Sequence, residues 1–305
     1  MKKKDLLSLR DFSTEEIREF LSEAFAIKSN PGKYSESLKG KALALIFEKP
    51  SLRTRVTFDV GIHQLGGFSV YLSPAEINLG KRESARDVAK NLERMVQGIM
   101  VRTFAHEIAV QLAEQARIPV INGLTDFSHP CQGLADYMTI LEVKEDFHGL
   151  KLAYVGDGNN VAHSLIYGAV RLGIHIALAT PAGYEPSPEV VNWAKERQGE
   201  TGAKVEVVRD AAVAVENADA VYTDVWTSMG QEAQSERRKK IFQPYQVNEA
   251  LFRRARPDAI FMHCLPAHRG EEVTDGVIDS ARSVVFQQAE NRLHVQKAIL
   301  VALMA

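Results

Sequence analysis

Cysteine is nearly absent from this chain: Cys131 and Cys264 are the only two in 305 residues. That excludes a disulfide framework and points to a reducing compartment. The cysteines and histidines also lack zinc-type spacing. No apolar run approaches the roughly 20 residues that a membrane-crossing helix needs. The basic stretch Lys2 to Lys4, after Met1, is not followed by the apolar segment of a secretion signal. Charge of one sign is missing too, since 37 Lys and Arg against 39 Asp and Glu leave −2. No general field for nucleic acid or anionic lipid follows from that balance. Internal repeats and low-complexity segments are absent. A soluble, cytoplasmic chain of ordinary globular composition is expected, long enough for two domains and with neither nucleic acid nor membrane as partner.

What the sequence does have is alternation. Short apolar runs at 41–47, 67–72, 98–103 and 118–123 read as buried strands, with helices over 56–66, 83–95 and 106–116 between them. A long amphipathic stretch over 131–147 follows without a flexible linker and reads as a bridging helix. The pattern then resumes, with strands at 151–158, 174–180, 204–210, 218–225 and 259–266. Helices are read over 161–172 and 188–198, and a last one over 289–304. Such alternation predicts an α/β fold of two doubly wound lobes with parallel sheets, linked by the bridging helix and the C-terminal helix. The expected division is 1–134, with 289–305 packing back on it, and 135–288. In such folds ligands gather beyond the carboxyl ends of strands, and the polar clusters of this chain sit there.

The first cluster is Ser51-Leu52-Arg53-Thr54-Arg55. Pro50 and Ser51 mark a helix start with Ser51 as N-cap. Cationic side chains are disfavoured at that already positive end, and a bound anion reverses the argument. The alternative is an ordinary helix start with exposed arginines. Arg102 ends the third apolar run, and by itself it is compatible with a surface arginine. Pro130 falls in the first turn of the bridging helix, which places His129 and Gln132 at its mouth; a capping role competes there.

"YVGDGNNVAHS" (154–164) invites a dinucleotide reading. Val161 stands where the third glycine belongs, and no acid ends the next strand. A glycine-rich turn is the plainer reading, with Asn159 and Asn160 free to bond a polar substrate. "DVWTSMG" (224–230) leads into a highly charged, weakly periodic segment over 231–246, which is either a solvated loop or a flap closing over substrate. Asp224 can hold an amino group there. "FMHCLP" (261–266) puts His263 and Cys264 at another strand end, where a buried structural cysteine is the usual case.

Taken as an ordered set, Ser51 to Arg55, Arg102, His129-Pro130-Cys131-Gln132, Asp224 to Gly230 and His263 to Pro266 resemble the carbamoyltransferases. The likeness is greatest to their ornithine branch and runs from about Leu6 to the C-terminal helix. It implies a carbamoyl phosphate domain followed by an acceptor domain. The implied reaction is transfer of the carbamoyl group from carbamoyl phosphate to the δ-amino group of L-ornithine, without metal or organic cofactor. The implied assembly is a homotrimer or a multiple of it. Matched position by position, the resemblance assigns carbamoyl phosphate to Ser51, Leu52, Arg53, Thr54, Asn78, Arg102, His129, Gln132, Cys264, Leu265 and Arg292. It assigns ornithine to Asn160, Asp224, Ser228 and Met229, and the catalytic roles to Arg102, His129, Asp224 and Cys264. Leu52 stands where relatives often carry threonine, and Asn78 where glutamine or histidine is common. Lys81 stands where the aspartate branch keeps a functional lysine.

Overall fold

The computed structural model describes residues 5–305 apart from positions 78, 80, 81, 229 and 231. The chain divides into two compact units, residues 1–138 with 290–305 and residues 139–289. The first opens on helix α1 (Thr14–Ser29). Ser13 Oγ accepts from the Glu16 N–H at 3.2 Å and the Glu16 carboxylate accepts from the Ser13 N–H at 2.8 Å. Two otherwise unpaired donors are satisfied by that reciprocal cap. Ile17, Phe20, Leu21, Ala24 and Ile27, at helical spacing, form its buried face.

β1 (Ala42–Phe47), α2 (Leu52–Gln64), β2 (Phe68–Leu72), α3 (Pro74–Ile77), α4 (Ala85–Leu92), β3 (Gly98–Arg102), α5 (His106–Gln115) and β4 (Val120–Leu124) follow. The helix start at Ser51 and the helix read over 56–66 are one element, because Ser51 Oγ accepts from the Thr54 N–H at 3.2 Å and caps it. The four strands are parallel in the order β2-β1-β3-β4. Every residue of β1 and β3 is buried, as a parallel strand covered on both faces requires, whereas the edge strand β2 is half exposed.

α6 (Pro130–Lys144) leads out of β4, and the division between units falls within it. It ends at Lys144, short of the expected 147, where Glu145 turns to a positive φ of 65°. The second unit continues through β5 (Lys151–Val155), α7 (Asn160–Leu172), β6 (His175–Ala179), α8 (Pro188–Thr201), β7 (Val205–Val208), α9 (Ala211–Val215), β8 (Ala220–Thr223), α10 (Ser235–Phe242), α11 (Glu249–Phe252), β9 (Ile260–His263) and α12 (Asp275–Ile278). Its five strands are parallel in the order β7-β6-β5-β8-β9. The charged segment over 231–246 is not a featureless loop, since α10 lies within it and buries Arg238 and Phe242 one turn apart. α13 (Val285–Met304) closes the chain, and residues 290–305 belong with the first unit.

Strand order explains where the polar clusters sit. In the first sheet the winding reverses between β1 and β3, which are paired with Phe47 opposite Arg102. In the second it reverses between β5 and β8, with Val155 opposite Thr223. At such a point the connections leave in opposite directions and open a crevice beyond the carboxyl ends. Ser51 and Arg102 flank the first crevice; Asn159 and Asp224 flank the second. Among the described residues no helix is long and apolar enough to cross a membrane.

Candidate active site

The first unit gathers three guanidiniums around a hydroxyl and an imidazole. Thr54, in the first turn of α2, is 1% exposed, and its Oγ1 accepts from Arg102 Nη1 and from Arg292 Nη2, both at 3.2 Å. Arginine can only donate, and a hydroxyl oxygen has two acceptor positions. Both are filled, so the Thr54 O–H is left to donate. Arg292 also donates to Gln132 Oε1 at 2.6 Å, and Gln132 Nε2 donates to Asp136 Oδ1 at 2.7 Å. That chain fixes which way the Gln132 amide faces and leaves its second N–H as a further donor.

His129, just before α6, is buried. Burial first, and then the positive charges of Arg292, Arg102 and Arg53, hold its pKa well below the usual imidazole value. The ring is therefore neutral at pH 7, able to donate from one nitrogen without adding charge. Arg53 is half-buried, whereas the Leu52 side chain is 74% exposed. Leu52 can thus serve the site only through its backbone N–H at the positive start of α2. Asn78 lies outside the described residues, as does Lys81. Every donor named here is complementary to an oxyanion.

The second unit builds a different centre. Asp224, beyond β8, is buried. Its Oδ1 accepts from the Cys264 thiol at 3.0 Å and from the Val225 N–H at 2.8 Å, and its Oδ2 accepts from Asn159 Nδ2 at 2.7 Å. Asn159 Oδ1 in turn caps α7, accepting from the N–H groups of Val161 and Ala162. Asn160, half-buried, is the first residue of α7, and Ser228 is half-buried beyond Trp226. Met229 lies outside the described residues. Cys264 and Leu265 follow β9. The Leu265 N–H donates to His263 Nδ1 at 2.8 Å, so the ring proton sits on Nε2 and faces Glu272 Oε1 at 3.1 Å. This buried pair holds the turn in which Leu265 adopts a left-handed φ of 56°.

Asp224, His263 and Cys264 bring possible metal-ligating atoms within 4.8 Å of one another. Both ring nitrogens of His263 are committed within the protein, which leaves that imidazole without a lone pair to offer. The glycine-rich turn has a packing reason. A Cβ on Gly158 would lie 2.2 Å from the Pro186 backbone nitrogen. Val161 is buried in α7, where a dinucleotide-binding turn would keep glycine. Residues that the sequence did not single out also enter the two centres: Asp136, Asp157, Arg238 and Glu272. All four are ionisable side chains that the fold buries, a property no local pattern announces.

Parallel α/β domains that collect guanidiniums at one switch point, and a carboxylate with a thiol at another, have the architecture of proteins that bind an anionic ligand at the first and a polar or cationic group at the second. Comparison with known proteins narrows that class. Residues 4–142 match the carbamoyl-P binding domain of aspartate/ornithine carbamoyltransferases, and residues 148–303 match their Asp/Orn binding domain. The chain belongs to the aspartate/ornithine carbamoyltransferase family. An ornithine carbamoyltransferase of Thermococcus kodakarensis is 55% identical over 303 residues, 99% of this chain and 96% of that protein. The solved structure of the Pyrococcus furiosus ornithine carbamoyltransferase superposes with a TM-score of 0.95 at 54% identity, covering 99% of this chain and 97% of the other. That of Thermus thermophilus gives 0.91 at 45% identity over the full length of both.

Proposed function

We propose that the chain transfers the carbamoyl group of carbamoyl phosphate to the δ-amino group of L-ornithine, giving L-citrulline and phosphate. One observation carries the donor half: the Thr54 hydroxyl, saturated as an acceptor by Arg102 and Arg292, can only donate to a ligand oxygen. Ser51, Leu52, Arg53 and Thr54 at the start of α2 receive the phosphate, with Arg102. His129, Gln132 and Arg292 complete the donor set, and Asn78 joins it by family likeness. Thr54, Arg102 and neutral His129 stabilise the oxyanion that forms on the carbamoyl carbonyl. Cys264 and Leu265 border the same substrate by that likeness.

The acceptor half rests on Asn160, Asp224, Ser228 and Met229. A primary alkyl ammonium has a pKa of about 10.4, so the amine must lose a proton before or as it attacks. Asp224, oriented by Asn159 and bonded to the Cys264 thiol, is the group placed to hold the ammonium and take part in that transfer. The N–C bond forms as the C–O bond to phosphate breaks, and Arg53 and Arg102 receive the leaving anion. No step needs a metal or an organic cofactor.

The enzyme works in the cytoplasm as a homotrimer or a multiple of it. The unpaired edge of β2 and the exposed apolar residues Val56, Val60, Phe68 and Val70 support self-association. The deciding experiment supplies carbamoyl phosphate with ornithine, putrescine, an acylated ornithine or aspartate, and measures the carbamoylated product. Citrulline from ornithine at a rate well above every other acceptor is expected; preference for another amine would overturn the assignment.

A further inference from the structure

Helix α10 carries four consecutive cations, Arg237 to Lys240, and of these only Arg238 is buried, at 3% exposure. A guanidinium removed from water is costly unless partners replace its hydration. Arg238 has them. Nη2 donates to the Asp157 carboxylate and Nε to the Trp226 carbonyl. Its guanidinium carbon lies 4.7 Å from the Tyr184 ring centroid and 5.0 Å from that of Phe242.

The two polar partners come from the two strand ends at the second switch point, Asp157 beyond β5 and Trp226 beyond β8. Each is two residues from a group that serves the acceptor or orients one that does. Asp157 precedes Asn159, whose amide holds Asp224 Oδ2. Trp226 lies between Asp224 and Ser228. We propose that Arg238 is a positioning residue for the acceptor amine, bracing both loops so that Asp224 and Ser228 keep their orientation, with Asp157 as the anchor of the brace. This rests on the reaction proposed above and adds a residue outside the substrate contacts.

The groups packed around the anchor are identifiable. Burial pushes the Asp157 carboxyl up to about 6, Arg238 on α10 pulls it down, and Asp224 beyond β8 adds to the rise. Tyr154 on β5 donates its hydroxyl to the Asp157 backbone oxygen at 2.8 Å. Because the enclosed carboxyl binds its proton more readily than a solvated one, acid does not by itself release the loops, and the brace rests on the two hydrogen bonds and the ring contacts of Arg238.

Steady-state kinetics of Arg238→Met, Arg238→Lys and Asp157→Asn against the wild type test this. Loss of the two charge-assisted bonds in Arg238→Met is expected to raise the ornithine KM about tenfold or more, with the carbamoyl phosphate KM little changed. Arg238→Lys, which keeps the charge but cannot reach both partners, falls between. Asp157→Asn, which removes the counter-charge and keeps the shape of the side chain, is expected to show a raised ornithine KM at about pH 8. A purely structural role would lower the unfolding temperature and leave the ornithine KM of the folded enzyme unchanged, which overturns the inference. Should Arg238→Met not fold, Arg238→Lys and the isosteric Asp157→Asn decide the same question. Absence of citrulline from the wild-type chain overturns the reaction and this inference with it. Wild-type turnover with unaltered ornithine KM in the variants overturns the inference alone.

Discussion

Replacing Thr54 by valine removes one oxygen and keeps the shape of the side chain. In the wild type that oxygen accepts from Arg102 and Arg292 at 3.2 Å each, so its own proton is left to donate. Two losses follow. Without substrate, two buried guanidinium N–H groups lose an acceptor. At about 1–3 kcal/mol for a buried donor left unpaired, and with Arg292 still bonded to Gln132, the net destabilisation is about 2 kcal/mol. In the reaction, one preorganised donor to the developing oxyanion is gone, which lowers kcat by about 10²–10³. Thr54→Ser keeps the hydroxyl and should retain most of the rate. Initial rates of citrulline formation at saturating carbamoyl phosphate and ornithine check the second loss; thermal unfolding checks the first. Added phosphate should recover part of the lost stability, since its oxygens accept from the same guanidiniums. A Thr54→Val enzyme whose kcat stays within about threefold of wild type would refute the donor role of this hydroxyl.

His129 ties stability to pH. Burial and three nearby guanidiniums hold its folded pKa well below the usual value of about 6.5. The unfolded chain therefore takes up a proton that the folded one refuses, and this contribution, full above about pH 6.5, is lost as pH falls. Asp157 runs the other way, its share being lost as pH rises from about 4 through about 6. The informative quantity is thus the difference between wild type and His129→Gln in chemical unfolding, and the variant's stability should rise less between about pH 5.5 and 7; parallel curves would exclude the linkage. Asn159→Ser keeps a cap on α7 but loses the amide that holds Asp224, so ornithine KM should rise with little loss of stability. Asn159→Ala should give the same KM and a further loss of about 1 kcal/mol; an unchanged KM in both would exclude Asn159 as the orienting group. For the assembly proposed above, Val56→Asp with Phe68→Asp should shift the sedimentation profile to that of the monomer, and an undisturbed oligomer would move the interface elsewhere on the surface.

Much of the first centre was legible because its signals are local. Ser51 caps the helix that it heads, and the excess of cations at an already positive helix end needs only the sequence around it to be noticed. Strands β1, β3, β5 and β8 were legible for the same reason, as apolar runs of strand length. α10 was not: its charged residues hide the turn-to-turn pairing of Arg238 with Phe242, and burial of that arginine depends on Asp157, 81 residues away. Asp224 could be singled out as an amine holder, but its orientation by Asn159 could not, since 65 residues separate them.

The sequence by itself determined the alternating elements, their caps, and the residue types available for an anion and for an amine. It did so because helix periodicity, capping and strand burial act over a few neighbouring residues. Only the tertiary structure decided that β1 lies beside β3 and β5 beside β8, which opens a crevice at each reversal of winding. It alone brought Arg292 onto Thr54 across 238 residues of chain. That contact turns an ordinary threonine into an obligate donor, because the charges that saturate its oxygen come from β3 and from the last helix.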